Sequence, residues 1–127
     1  MVDVLREGGI ENPFEVQRKT IPEALLGRDV CCRAPTGSGK TLAFGLPLVS
    51  LAAKAKPKRP TSLILTPTRE LAEQIRRVLK PLADSVGLGV ASVYGGTPYK
   101  GQLRRLNQGV EILVACPGRL ILSLIHI

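Results

Sequence analysis

Apolar and polar positions along the 127 residues follow two alternating periods. Residues 14–26 carry helical spacing, and Pro22 within that run predicts a break followed by a new turn. Residues 29–34 form a short apolar run that predicts a strand. Helical spacing then resumes from Leu42 to about Ala53. Lys54 to Pro60 is a basic, proline-bearing loop. Ser62–Thr66 is continuously apolar at its centre and predicts a strand buried on both faces. Arg69 to Ala83 has helical periodicity, with Leu71, Ile75, Val78, Leu79 and Leu82 on one side. Leu88–Tyr94 predicts a third strand, Pro98–Leu106 a short basic helix, Glu111–Ala115 a fourth strand, and Arg119–Ile125 the start of another helix.

This β-α-β-α order implies an α/β fold: a parallel sheet with helices on both faces. No internal repeat is visible and no second domain is expected, so residues 1–127 read as one domain. Ligands in such sheets gather at the carboxyl ends of the strands. Four polar loops fall there: Ala34–Thr41, Pro67–Glu70, Gly95-Gly96 and Cys116–Arg119. They predict one continuous binding surface, the alternative being four ordinary turns closing βα units.

Composition narrows the classes. At 44% hydrophobic and 22% charged the chain is ordinary globular material. It has no apolar run long enough to span a membrane. Its first residues lack the apolar core of a signal peptide, so a cytoplasmic location is expected. Eighteen Lys and Arg against ten Asp and Glu leave a net charge of +8. That favours a polyanionic partner, although a solvated basic surface accounts for the same number. Cys31, Cys32 and Cys116 are odd in number and lack zinc-finger spacing, and Cys31 and Cys32 read as small buried hydrophobes in a strand. His126 stands alone, with no chemical role expected. With no Trp, two Phe and two Tyr, stacking on bases can only be minor.

Ala34-Pro35-Thr36-Gly37-Ser38-Gly39-Lys40-Thr41 carries the chemistry. Gly37 and Gly39 remove the Cβ atoms that would hold a phosphate off the backbone. Successive N–H groups then form an anion nest at the positive end of a helix dipole. Lys40 can reach the β- and γ-phosphates, and Thr41 can offer its hydroxyl to Mg²⁺. The predicted nucleotide set is therefore Ala34, Thr36, Gly37, Ser38, Gly39, Lys40 and Thr41, with Lys40 and Thr41 closest to the chemistry and Thr41 the metal residue. The general P-loop begins with Gly, where this chain has Ala34.

Over residues 5–122 the chain resembles the first RecA-like domain of a DEAD-box RNA helicase, a P-loop NTPase fold. Gly9–Gln17 resembles the family's Q motif, Ala34–Thr41 its motif I including the leading Ala, and Pro67-Thr68-Arg69-Glu70-Leu71-Ala72 its motif Ia. Gly95-Gly96 resembles the glycine doublet, and Pro117-Gly118-Arg119 most of the Thr-Pro-Gly-Arg motif. The resemblance implies that ATP and Mg²⁺ are cofactors and that Gln17 reads the adenine edge, since an amide offers donors and an acceptor together. It implies RNA as partner, bound through backbone contacts without sequence readout by Pro67, Thr68, Arg69, Gly95, Gly96, Pro117, Gly118 and Arg119. Arg69 also stands four residues before Glu73, the spacing of a helical ion pair. Phe14 and Glu15 replace the family's Thr and Pro, and Cys116 replaces its Thr, removing two hydroxyl contacts.

The Asp-Glu-Ala-Asp and Ser-Ala-Thr motifs of the family do not occur in these 127 residues. The expectation is an incomplete domain, the N-terminal part of an RNA-stimulated ATPase that unwinds RNA duplexes, inactive as a fragment because phosphoryl transfer needs the missing carboxylates and an arginine finger. Two alternatives stay open: an ATP- or RNA-binding module without turnover, and another superfamily 2 NTPase acting on DNA. Leu122–Ile127 fits the family only loosely and reads as a junction sequence.

Overall fold

Helix and strand periods resolve into six helices and three strands among the described residues of a computed structural model, whose backbone is described for residues 1–126 and side chains for residues 1–122. The side chains of residues 123–127, His126 among them, and the backbone of Ile127 lie outside the described residues, and so does the junction reading of that segment. The chain divides into two compact units, Met1–Leu51 and Ala52–Ile127.

The first unit holds α1 (Val2–Glu7), α2 (Glu15–Leu25) and α3 (Lys40–Leu51). Helix α1 is not foreshadowed by the alternating charges of the first residues. Helix α2 runs without a break through Pro22, which sits inside it. One missing N–H on an exposed helix face is tolerated, and the turn continues because the Leu26 amide donates to the Pro22 carbonyl at 3.2 Å. Helix α3 also contains a proline, Pro47, and buries Leu42, Ala43 and Val49. Residues 29–34 are not a strand, which corrects the expectation from their apolar run. They carry no ladder to a neighbour, and a strand exists only where a partner takes its backbone groups. Cys31 and Cys32 are accordingly exposed instead of buried.

The second unit is a three-stranded parallel sheet with helices on both faces: β1 (Ser62–Leu65), α4 (Arg69–Ser85), β2 (Val90–Val93), α5 (Tyr99–Gln108), β3 (Ile112–Ala115) and α6 (Pro117–His126). The order is β1-β3-β2, with Leu65 and Val93 both level with Ala115. One face is covered by α4, whose Ile75, Leu79 and Leu82 are buried, while Leu71 on the predicted stripe is exposed and Val78 half-buried. On the other face Ala91, Val93, Leu113 and Ala115 pack with Leu106 of α5 and Leu120 of α6. The central strand β3 is buried throughout. The edge strand β1 is not: Leu63 and Leu65 are 49% and 58% exposed, against the expectation of burial on both faces. They lie in register with Leu113 and Ala115, but within this unit the cluster under α5 and α6 takes in residues of β2 and β3 and none of β1.

Glu111 ties the unit's far end together. Its carboxylate accepts from the amides of Gly89 at 2.6 Å and Ala55 at 3.2 Å. Burial pushes this carboxyl up, but those amides and the nearby Lys54 outweigh it, so its net shift is below the ordinary value of 4.5.

Two outcomes follow from this packing. Leu79→Ala, at a fully buried α4 position, is expected to cost about 2–5 kcal/mol in urea unfolding, and a loss under 1 kcal/mol, roughly that of a surface change, would refute the placement. A carboxyl with a lowered folded pKa contributes stability above its unfolded pKa and loses it as pH falls below that value. Denaturation midpoints are therefore expected to decline below about pH 4.5, less steeply in Glu111→Gln than in the parent; equal slopes would remove Glu111 from that role.

Candidate functional site

In the first unit the loop 34–39 leads into α3. Gly37 and Gly39 both have left-handed backbone, with φ of +79° and +82°. The Ser38 amide closes a turn on the Pro35 carbonyl at 3.3 Å. Lys40 opens α3 and its Nζ donates to the Ala34 carbonyl at 2.6 Å, so the lysine spans its own loop. The Ser38 hydroxyl is buried with no hydrogen-bond partner. A groove of about 450 Å³ lies beside the loop, lined by Phe14, Val16, Lys19, Thr20, Arg33, Ala34, Pro35 and Ser38 among others.

Gln17 is the hinge of this arrangement. It is buried, its Oε1 accepts the Phe14 amide at 2.9 Å, and its Nε2 donates to the Gly39 carbonyl at 3.0 Å. One N–H and one lone pair of the amide remain unused by these bonds. Phe14 has no hydroxyl to give, but its ring lies against Gly39, where an added Cβ would sit 2.6 Å from Cδ2 and overlap the Gln17 amide. Any side chain there would have to displace Gln17 and Phe14 and adopt left-handed backbone. The left-handed cradle, the unpartnered hydroxyl and the helix N-terminus suit a phosphate chain. For a metal, this chain offers the Thr41 hydroxyl; no group of three or more His, Cys, Asp or Glu side chains gathers among the described residues.

In the second unit the parallel register brings three of the four predicted loops to one sheet edge. The Thr66 amide donates to Ala115 and the Cys116 amide to Val93, both at 2.9 Å. The Thr66 hydroxyl and the Cys116 thiol meet at 3.7 Å. Helices α4, α5 and α6 all start at this edge, which concentrates their positive dipole ends. Thr68 caps α4 by accepting the Leu71 amide at 3.3 Å. Pro67, Thr68, Arg69, Gly95, Gly96, Pro117 and Gly118 are exposed and Arg119 half-buried. Gly96 has φ +82°, and a Cβ there would stand 2.8 Å from Nη1 of Arg69. Arg119 reaches the Thr97 carbonyl at 3.4 Å and stacks 5.1 Å from the Tyr99 ring centre. Motif Ia, the glycine doublet and Pro117–Arg119 therefore converge. The fourth loop, Ala34–Thr41, belongs to the other unit.

The spacing of Arg69 and Glu73 does not produce an ion pair. Arg69 lies 3.7 Å from Glu70, and Glu73 instead takes Arg76, Ser92 and Tyr94. The Arg76 hydrogen bond holds the Glu73 carboxyl below the usual carboxylate range, against partial burial and with help from Tyr94. Glu73, Tyr94 and Gln102 escape a reading of the sequence. The one available signal is Tyr94 itself, a phenol at the end of an apolar strand whose hydroxyl needs a partner.

The DEAD/DEAH box helicase family model matches residues 14–126, and the chain belongs to that family. It is 44% identical over 124 residues to the pre-mRNA-processing ATP-dependent RNA helicase prp5 of Aspergillus fumigatus, covering 94% of this chain and 10% of the relative. It is 42% identical to the mitochondrial DEAD-box ATP-dependent RNA helicase 9 of Arabidopsis thaliana, covering 95% of this chain and 20% of the relative. Among solved structures, the RNA helicase Prp28 of Chaetomium thermophilum bound to ADP aligns at a TM-score of 0.88 with 42% identity, over 98% of this chain and 31% of that one. A hypothetical ATP-dependent RNA helicase of Sulfolobus tokodaii aligns at 0.87, also with 42% identity, over 98% of this chain and 35% of that one. The fold is thus that of RecA-like DEAD-box helicase domains, and the chain spans between a tenth and a fifth of these curated relatives.

The two loop glycines separate strain from overlap. Gly37→Ala meets nothing within 4 Å and is expected to cost only left-handed backbone strain, about 1–2 kcal/mol. Gly39→Ala is expected to cost about 1–3 kcal/mol more, from overlap with Gln17 and Phe14. Urea unfolding of the two variants side by side checks this, and equal losses would refute the Gln17 lock.

Proposed function

We propose that this chain supplies the ATP-gripping loop and part of the RNA-contacting edge of a helicase that couples ATP hydrolysis to local separation of RNA duplexes. The observation that carries the reading is the loop 34–41: two left-handed glycines, a buried hydroxyl without a partner and a lysine at a helix start, beside a groove of about 450 Å³. The names of the relatives, ATP-dependent RNA helicases, support it.

Bound Mg-ATP would supply the phosphoanhydride whose cleavage drives the cycle. The chain's own residues would do the holding. Amides from Gly37 to Thr41 would cradle the phosphates, and Lys40 would exchange the neutral Ala34 carbonyl for a stronger charge-assisted bond. Thr41 would offer its hydroxyl to the metal. Gln17 would turn its unused N–H and lone pair toward adenine while still gripping Gly39, so base recognition and loop geometry would share one amide. At the other unit's edge Arg69 and Arg119 would fork onto backbone phosphates, and the glycines at 95, 96 and 118 would allow close approach. Contacts of this kind position a strand without reading its sequence. The matched segment covers only 10–20% of these relatives, so we assign binding to this segment and turnover to the whole protein.

In the full-length protein, Lys40→Ala is expected to lower RNA-stimulated phosphate release by about 100-fold or more, the scale of losing one positioned charge donor. Release at the parent rate would overturn the proposal. Release stimulated equally by DNA would redirect it to a DNA-acting NTPase.

A further inference from the structure

We propose that Glu73 and Tyr94 are positioning residues for RNA, fixing the Gly95-Gly96 doublet beneath the Arg69 guanidinium in the arrangement that grips a phosphate. This rests on the RNA reading above. Glu73 stands one turn beyond Arg69 on α4. Its Oε2 accepts the Tyr94 hydroxyl at 3.1 Å and the Ser92 hydroxyl at 3.2 Å, and its Oε1 accepts Arg76 Nε at 2.7 Å. Tyr94 is the residue directly before the doublet. On the far side of the loop, Gln102 of α5 donates to the Tyr94 carbonyl at 3.1 Å and to the Thr97 hydroxyl. The segment 94–97 is therefore pinned at both ends, to α4 through Tyr94 and to α5 through Thr97. Only the two glycines between are untethered by these bonds.

Arg69 completes the arrangement, because its Nη1 occupies the space over Gly96 that a side chain would need. A groove of about 510 Å³ opens here, and its lining carries the guanidinium groups of Arg69 and Arg77 beside the carboxylates of Glu70 and Glu73, with Tyr94 and Thr97. A loop held in place before RNA arrives loses less freedom on binding, so its amides and the guanidinium act together. Glu73 itself need not repel the phosphate: both its oxygens are turned to donors, one of them the cation of Arg76. The negative charge at this edge thus serves an anion site from behind, as the anchor for the tyrosine.

Two variants of the full-length protein test this. Tyr94→Phe removes one hydroxyl and keeps the ring, and Glu73→Gln keeps the shape and removes the charge. Each is expected to weaken single-stranded RNA binding about three- to tenfold, the range of one hydrogen bond, with ATP affinity unchanged. The slope of log Kd against log salt is expected to fall by about 0.7 for each phosphate the variant no longer neutralises. A purely structural role would lower the melting temperature without moving that slope. The double variant is expected to lose less than the two single losses added together, since Tyr94→Phe removes and Glu73→Gln weakens the same contact. Parent affinity and slope in both single variants, while Arg69→Ala binds weakly, would overturn the inference. Parent-like binding by Arg69→Ala as well would bring down the RNA reading itself. Should Glu73→Gln fail to fold, Tyr94→Phe alone decides.

Discussion

Parallel pairing of β3 with both of its neighbours is the constraint on which the second unit depends. Strands that run the same way must send their connections back across the sheet, so each is followed by a helix that starts at the same edge. With Leu65, Ala115 and Val93 level in register, three polar loops and three helix N-termini are brought together. No residue in any of those loops needs to specify the others' position. The ladder does that, and its buried central strand makes a slip in register costly, because every side chain of Ile112–Ala115 would change face.

The first unit solves its problem differently. Its loop is shaped by glycine backbone and locked by one buried amide, with Gln17 bonded to Phe14 on one side and Gly39 on the other. A replacement of Thr by Phe at position 14 therefore leaves the lock intact, because the lock uses the backbone N–H of residue 14 and not its side chain. The ring takes a packing role against Gly39. In both units a glycine-bearing loop is held by a hydrogen-bonding side chain from a neighbouring helix: Gln17 in one, Glu73 and Gln102 in the other.

Strong helical periodicity is readable because it repeats over many residues. Arg69–Ser85 appears nearly where Leu71 to Leu82 predict it. Strand predictions divide by context. Ser62–Leu65, Val90–Val93 and Ile112–Ala115 form where partners exist, whereas 29–34, equally apolar in parts, does not. A run of four to six apolar residues states a preference, and the neighbour that would satisfy its backbone is a tertiary fact. Leu63 and Leu65 make the same point for burial, since β-branched and apolar composition cannot tell an edge from a centre. Pro22 shows the reverse error, a local rule overridden by a helix that continues around it.

By itself the sequence determined the kind of fold and the chemistry of its loops: glycines where backbone must turn left-handed or come close, a lysine and threonine after them, arginines at helix starts. These are local requirements, and single residue types meet them. Only the tertiary structure decided which loops share an edge, that Glu73 turns from Arg69 to Arg76 and Tyr94, and that Gln102 anchors a loop from behind. Such pairings join residues from different elements, and their partners are chosen by register and packing, which no spacing along the chain encodes.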